Sequence, residues 1–268
     1  MRYLKSFMVL EAKAKVRALL LIICFVVVFI AASRPSGAQQ AGGPTRLIIT
    51  YRCPAANRPA FREAVELTET ARFEKWKDAG VIQDYHLLFN WYADEDTWDM
   101  MAILSFQKYT DIARWHEIER TAPGGLSPAS LRLGVPIKTY SVDQAWHEST
   151  ANTSGKSVFL VIPYDVANME EYKSYAADYV IPQTKGWLRE GILTSYSLYL
   201  NRHYAGRPWD ALLVLEYRDL ESLGQRESVI ARVRATLSQD PKWKAINDNK
   251  KNIRTEKELV IAEDLRRR

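Results

Sequence analysis

The sequence predicts an α+β fold built from one unit used twice, and two observations carry that expectation. The first is an internal echo. The segment WKDAGVIQDYHL, beginning at Trp76, returns 111 positions later as WLREGILTSYSL, beginning at Trp187. The register then holds without a gap through Asn90 and Asn201, Trp98-Asp99 and Trp209-Asp210, and Leu104 and Leu215. A period of this length is too long for a solenoid repeat and suits a small domain. The second is that the same order of apolar segments lies on either side of a polar stretch, His147 to Lys156 (HESTANTSGK), which reads as a linker.

Each element follows from local pattern. Leu47 to Tyr51 is a short apolar run closed by Pro54, a buried strand. Pro59 opens a helical stretch that ends near Asp78, with Phe61, Val65 and Trp76 among its apolar positions and Gly80 as the stop. Val81 to Tyr92 and Trp98 to Phe106 carry strand-forming residues and are separated by the acidic turn Asp94-Glu95-Asp96. Thr110 to Arg120 is a second helix, and Ile137 to Trp146 a fourth strand. The second unit repeats the order: a strand at Val158 to Ile162, a helix from Met169 to Glu190 that Pro182 should kink or divide, and strands at Ile192 to His203 and Trp209 to Tyr217. A helix from Leu220 to Leu237 and a last strand from Ile253 to Ala262 complete it. On the sequence, Ile137-Lys-Thr139 aligns with Ile253-Arg-Thr255 at a spacing of 116.

Residues 1–38 read as a secretory signal peptide. Basic residues precede an apolar run from Ala18 to Ala32, and Ser36-Gly37-Ala38 offers small residues for cleavage before Gln39. An uncleaved membrane anchor is the competing reading. The leader holds six of the 37 Lys and Arg and one of the 32 Asp and Glu, leaving 31 of each in the mature chain. The high pI therefore belongs to the leader, and the mature protein offers no basic surface for nucleic acid. Cys24 lies in the leader, so Cys53 stands alone and no internal disulfide is possible. The expected location is periplasmic or secreted, with no membrane association after cleavage.

A β-α-β-β-α-β unit is the ferredoxin-like arrangement, four antiparallel strands with both helices on one face. Its other face is apolar and needs a cover, which a second copy supplies. The chain thus resembles the dimeric α+β barrel superfamily, which includes antibiotic-biosynthesis-monooxygenase, EthD-like and NIPSNAP proteins. The resemblance rests on topology and the repeat, and implies tandem ferredoxin-like repeats, 45–147 and 157–268, fused into an intrachain pseudo-dimeric barrel. Some cofactor-independent monooxygenases of this superfamily hold an oxygen-reactive substrate with Asn, Trp, Tyr and His side chains.

Candidate chemistry is sparse. The corner residues Trp76, Gly80, Trp187 and Gly191 read as structural, and Asp99 and Asp210 as groups that bond the backbone of the preceding turn. Asn90 and Asn201 need hydrogen-bond partners if buried, and with Tyr92 and Tyr204 they are the expected substrate-binding residues. His203, near a strand end, is the expected general base. Trp115-His116-Glu117 starts like HExxH, but Arg120 stands where the second His belongs, so no metal site is expected. Chlorite-dismutase-like and dye-decolourising peroxidases also fuse two such units, but their haem needs an axial ligand, usually His, on a helix of the second unit. Met169 to Glu190 and Leu220 to Leu237 contain none, so no cofactor is expected. Asn152-Thr-Ser154 is formally a glycosylation sequon within the linker. The expected protein binds a small molecule, as a cofactor-independent oxygenase or isomerase, and forms homodimers. The alternative is a non-catalytic structural or interaction protein of the cell envelope. Buried polar groups converging on a ligand-sized cavity would separate the two.

Overall fold

The computed structural model describes residues 45–151, 156–203, 208–249 and 253–266, all within one compact unit, Ala41–Arg268. The leader, the sequon at Asn152, and Tyr204 lie outside the described residues. No described helix is long and apolar enough to cross a membrane.

In chain order, β1 (Thr45–Arg52) leads to helix α1 (residues 58–78), then β2 (Asp84–Asn90) and β3 (Met100–Ser105). Helix α2 (Ile112–Glu119), a short α3 (Pro128–Leu131) and β4 (Val135–Ser149) finish the first repeat. The second has β5 (Val158–Val166), helix α4 (residues 169–189), β6 (Leu193–Asn201) and β7 (Ala211–Tyr217). Three helices follow, α5 (Leu220–Gly224), α6 (Arg226–Leu237) and α7 (Pro241–Asn249), then two short strands, β8 (Arg254–Glu256) and β9 (Val260–Asp264).

Every pairing is antiparallel, and the strands close in the order β1-β3-β2-β9-β5-β7-β6-β4 and back to β1, with β8 beside β5. The last strand of each repeat makes the closure. β4 pairs with β1 and then with β6, while β9 pairs with β5 and β2. Closure removes the exposed edges that two separate sheets would present. It also explains why β4 runs through His147 to Ser149, which the sequence assigns to a linker: those residues pair with Ser195 to Ser197 of the other repeat.

Alternation along the strands sorts three cores. Leu47, Ile49 and Tyr51 face the helices of the first repeat and pack with Phe61, Phe73 and Trp115. The equivalent layer of the second repeat holds Tyr164, Tyr172, Tyr179 and Trp243. Ile48, Met101, Tyr140, Val161, Tyr199 and Leu212 fill the barrel between the two halves. Gly80 and Gly191 both take positive φ, 63° and 77°, at the helix-to-strand corners, where a side chain would be strained. Both long helices carry a π turn, Val65–Glu69 and Ala176–Val180, at the same 111-residue offset. The irregularity in α4 is therefore a property of the repeat and not of Pro182, which sits at the start of the following α segment.

The alignment of Ile137-Lys-Thr139 with Ile253-Arg-Thr255 is corrected by the register. Tyr51 pairs with Pro136, and its counterpart Tyr164 with Glu256. Ile48 pairs with Tyr140, and its counterpart Val161 with Val260. Both give an offset of 120. β4 is matched by β8 and β9 together, and the bulge near Ile137 becomes a full break between Glu256 and Val260.

Candidate functional site

The repeated polar residues hold the scaffold. Asn90 is buried; its Nδ2 donates to Trp98 O (3.0 Å) and Thr97 Oγ1 (3.1 Å), and its Oδ1 accepts from Tyr92 N (3.0 Å). Asn201 does the same work, donating to Trp209 O (3.3 Å) and accepting from His203 N (3.1 Å). Each amide thus bridges the two ends of a hairpin loop. Asp99 accepts from Cys53 N at 2.9 Å and Asp210 from Val166 N at 2.7 Å, fastening the end of β1 and β5 in turn. Asp99 also pairs with Arg58. Beside it, burial first and then Asp99 push the Cys53 thiol up to about 12, which removes it as a nucleophile at neutral pH.

The expected site residues do not converge. The Tyr92 side chain is 64% exposed on its loop, and His203 is exposed on another. Where the echo breaks, Trp91 packs against the second repeat's core, while Arg202 pairs with Asp143 (2.5 Å) and lies over the Tyr109 ring. These differences serve packing between elements. His116 is exposed on α2.

A cavity of about 420 Å³ lies elsewhere, at the barrel end where β1 and β5 finish and β3, β4 and β7 begin. Its wall has an apolar, aromatic part formed by Trp98, Met101, Tyr140, Trp209 and Leu212. The Tyr140 and Trp209 rings stand 4.5 Å apart. Alternation along β1 sends Ile48, Thr50 and Arg52 inward, which puts Arg52 at the rim. Lys138, on β4, and Lys257 and Glu258, between β8 and β9, complete the polar part with Asp96.

The register shows how the two repeats divide this mouth. Trp98 and Trp209 are counterparts, as are Met101 and Leu212, and the strand registers make Thr50 the counterpart of Pro163. The charged positions differ. Arg52 matches Asp165, and Lys138, two residues before Tyr140, matches Glu258, two before Val260. At these two matched positions the first repeat carries cations and the second acids, while Asp96 and Lys257 add one charge of the other sign from each repeat. Lys257 neutralises Asp165 across 2.7 Å. Glu258 has neither a hydrogen bond nor an ion pair among the described residues; burial, and then Asp94 and Asp96, raise its pKa. A carboxyl poised in this way beside an apolar wall suits proton transfer.

The opposite barrel end is polar and closed on itself. His86 Nδ1 lies 2.9 Å from Asp264 Oδ2 and 2.7 Å from Arg266 Nη2, and Asp264 Oδ1 accepts from Leu87 N (3.2 Å). Burial works to raise the Asp264 pKa, but His86 and Arg266 outweigh it and hold the group well below the usual carboxylate range. Arg46 donates to Gln144 (2.6 Å), Gln144 to Ser197 (3.0 Å), and Ser197 Oγ lies 3.0 Å from His147 Nδ1. Burial lowers the pKa of His147 and favours the neutral ring.

Among the described residues, no three His, Cys, Asp or Glu side chains are grouped to hold a metal ion. A haem ligated by a helical His does not fit the second repeat. Its helices carry no His, and the layer beneath α4 is occupied by a run of rings, Tyr164, Tyr172, Tyr175, Tyr179 and Trp243, with neighbouring centroids 4.8–6.3 Å apart.

No protein-family model matches the sequence, and comparison with curated proteins finds no match. Solved structures do match. A provisionally assigned monooxygenase from Fusobacterium nucleatum subsp. nucleatum superposes with a TM-score of 0.55 at 14% identity, over 84% of this chain and 94% of that one. An anthrone oxidase-like protein gives 0.51 at 10% identity, over 85% and 93%. A mutant chlorite dismutase from Candidatus Nitrospira defluvii gives 0.50 at 11% identity, over 84% and 93%. At these identities the likeness is one of fold: the chain shares the dimeric α+β barrel architecture, with both halves in one polypeptide.

Proposed function

We propose that the protein binds a small molecule in the barrel mouth and acts on it without a cofactor, with Glu258 as the acid–base group. The observation that carries this reading is the pKa-raised carboxyl of Glu258, without a partner among the described residues, on the wall of an aromatic cavity of about 420 Å³. That volume falls within the range of small-molecule sites, and the lining combines an apolar body with a few polar groups, as such sites do. In an isomerisation, the Glu258 carboxylate would take a proton from one ligand carbon and return it to another, which balances with no further reactant. In an oxygenation, the same proton removal would generate a carbanion for dioxygen, the co-reactant. Both outcomes use one base, one apolar wall and no metal. The relatives of similar fold include a provisionally assigned monooxygenase and an anthrone oxidase-like protein, which is consistent with chemistry in such a barrel.

The test is a ligand screen by thermal shift on the mature chain, starting at Gln39, followed by two variants. Glu258→Gln is expected to keep binding and lose turnover, while Trp209→Phe weakens binding. A hit that binds equally to wild type and Trp209→Phe and whose conversion survives Glu258→Gln would refute the reading. Export stands as part of the same proposal: protein recovered from cells should begin near Gln39, as N-terminal sequencing would show.

A further inference from the structure

We infer that the ligand of this mouth is an organic acid, its anionic group held by Arg52 and Lys138 of the first repeat and its apolar body lying between Trp98 and Trp209. This rests on the mouth being a ligand site, and it deepens that reading by assigning the charge and polarity of the ligand. The carrying observation is an orphaned donor. Arg52 Nη2 donates to Thr97 O, but its Nε is buried and has no hydrogen-bond partner among the described residues. A buried N–H of a guanidinium left unmet is costly, and a carboxylate is the acceptor whose geometry fits the guanidinium fork. Lys138 is the second observation: its ammonium has no ion pair or hydrogen bond among the described residues, although acids line the same cavity.

The comparison between the repeats excludes an accidental surplus of charge. At the position equivalent to Arg52, Asp165 is neutralised by Lys257, so the fold has a way to pair a charge at that site and does so in only one repeat. The acids do not make an equal case for a cationic ligand. Asp96 is exposed to water, its backbone N–H bonded to Asp94, and Glu258 is shifted toward its neutral form. The ligand is thereby oriented: its anionic group lies toward the first repeat, and the atoms nearest Glu258 belong to its other end.

The test uses three matched probes, naphthalene-2-carboxylate, naphthalene-2-carboxamide and 2-naphthylmethylammonium, titrated against the mature protein by NMR. The carboxylate is expected to bind at least about tenfold more tightly than the amide. Arg52→Gln combined with Lys138→Gln should reduce the acid to the affinity of the amide and leave the amide unchanged, which itself shows that the cavity persists. If Arg52→Gln fails to fold, Lys138→Gln alone should still narrow the acid-to-amide ratio. Equal binding of acid and amide, or preference for the ammonium probe, would overturn the inference and leave the cavity as a ligand site. If none of the three binds, the ligand-site reading falls as well, and this inference with it.

Discussion

The two ends of the barrel are made from the same strands and treat charge in opposite ways. At the far end, Asp264 meets His86 and Arg266, and Arg46, Gln144, Ser197 and His147 form a connected chain. At the mouth, Arg52 Nε, Lys138 and Glu258 are left without partners among the described residues. Pairing spends polar groups on joining the halves: Asp264 binds the backbone of β2 from β9, across the seam between the repeats. Leaving charges unmet costs stability and persists where a ligand completes them. The contrast is the ground for proposing the mouth, and not the far end, as the ligand site.

The largest expected effect tests the paired end. Asp264→Ala leaves Arg266 and His86 facing a buried gap and should destabilise the protein by about 3 kcal/mol in urea denaturation, without altering ligand affinity at the mouth. The pH dependence follows in sign. Because the folded-state pKa of Asp264 is depressed, its contribution is complete above the ordinary carboxylate pKa and fades as pH falls toward the folded value. Asp264→Asn should therefore lose less stability than wild type on acidification below about pH 4.

Next in size, Asn90→Ala and Asn201→Ala should each cost about 1–2 kcal/mol, since each frees a hairpin loop. Asn90 should cost more, because among the described residues it makes one bond more than Asn201. Glu258→Gln should act in the other direction. A carboxyl with a raised folded-state pKa contributes most when protonated and loses that contribution as pH rises through the folded value. The variant should thus melt higher than wild type at pH 8 and alike at pH 4. His203→Ala is the smallest: a stability change within about 0.5 kcal/mol and no change in ligand affinity. A ligand-binding defect in His203→Ala would move the site away from the mouth.

The doubled architecture was legible because its marks are local: a helix stop at Gly80 and Gly191, strands between turn residues, and an aligned Trp-Asp pair that meets the same backbone in both halves. Position suggested that Asp99 and Asp210 bond the turn before them, whereas each carboxylate accepts from a backbone N–H at the end of β1 or β5. The mouth was hidden for a physical reason. Its residues come from six strands or the loops beside them, and the correspondence of Lys138 with Glu258 depends on a strand that is continuous in one repeat and broken in the other. The similar triplets at Ile137 and Ile253 suggest a spacing of 116 in place of 120. Asn90 and Asn201 looked like ligand groups because a sequence does not show that Tyr92 N and His203 N already occupy their oxygens. Repetition marked the scaffold, and the charges that differ between equivalent positions mark the proposed site.

The central claim, that the mouth is the ligand site, is tested most directly by the indole N–H signals of the isotope-labelled protein from Gln39 onward. On addition of naphthalene-2-carboxylate, the resonances of Trp98 and Trp209 should move together and saturate, while Trp115 and Trp187, packed in the two helix layers, stay in place. Unmoved Trp98 and Trp209 signals, or shifts confined to Trp115 and Trp187, would contradict the account.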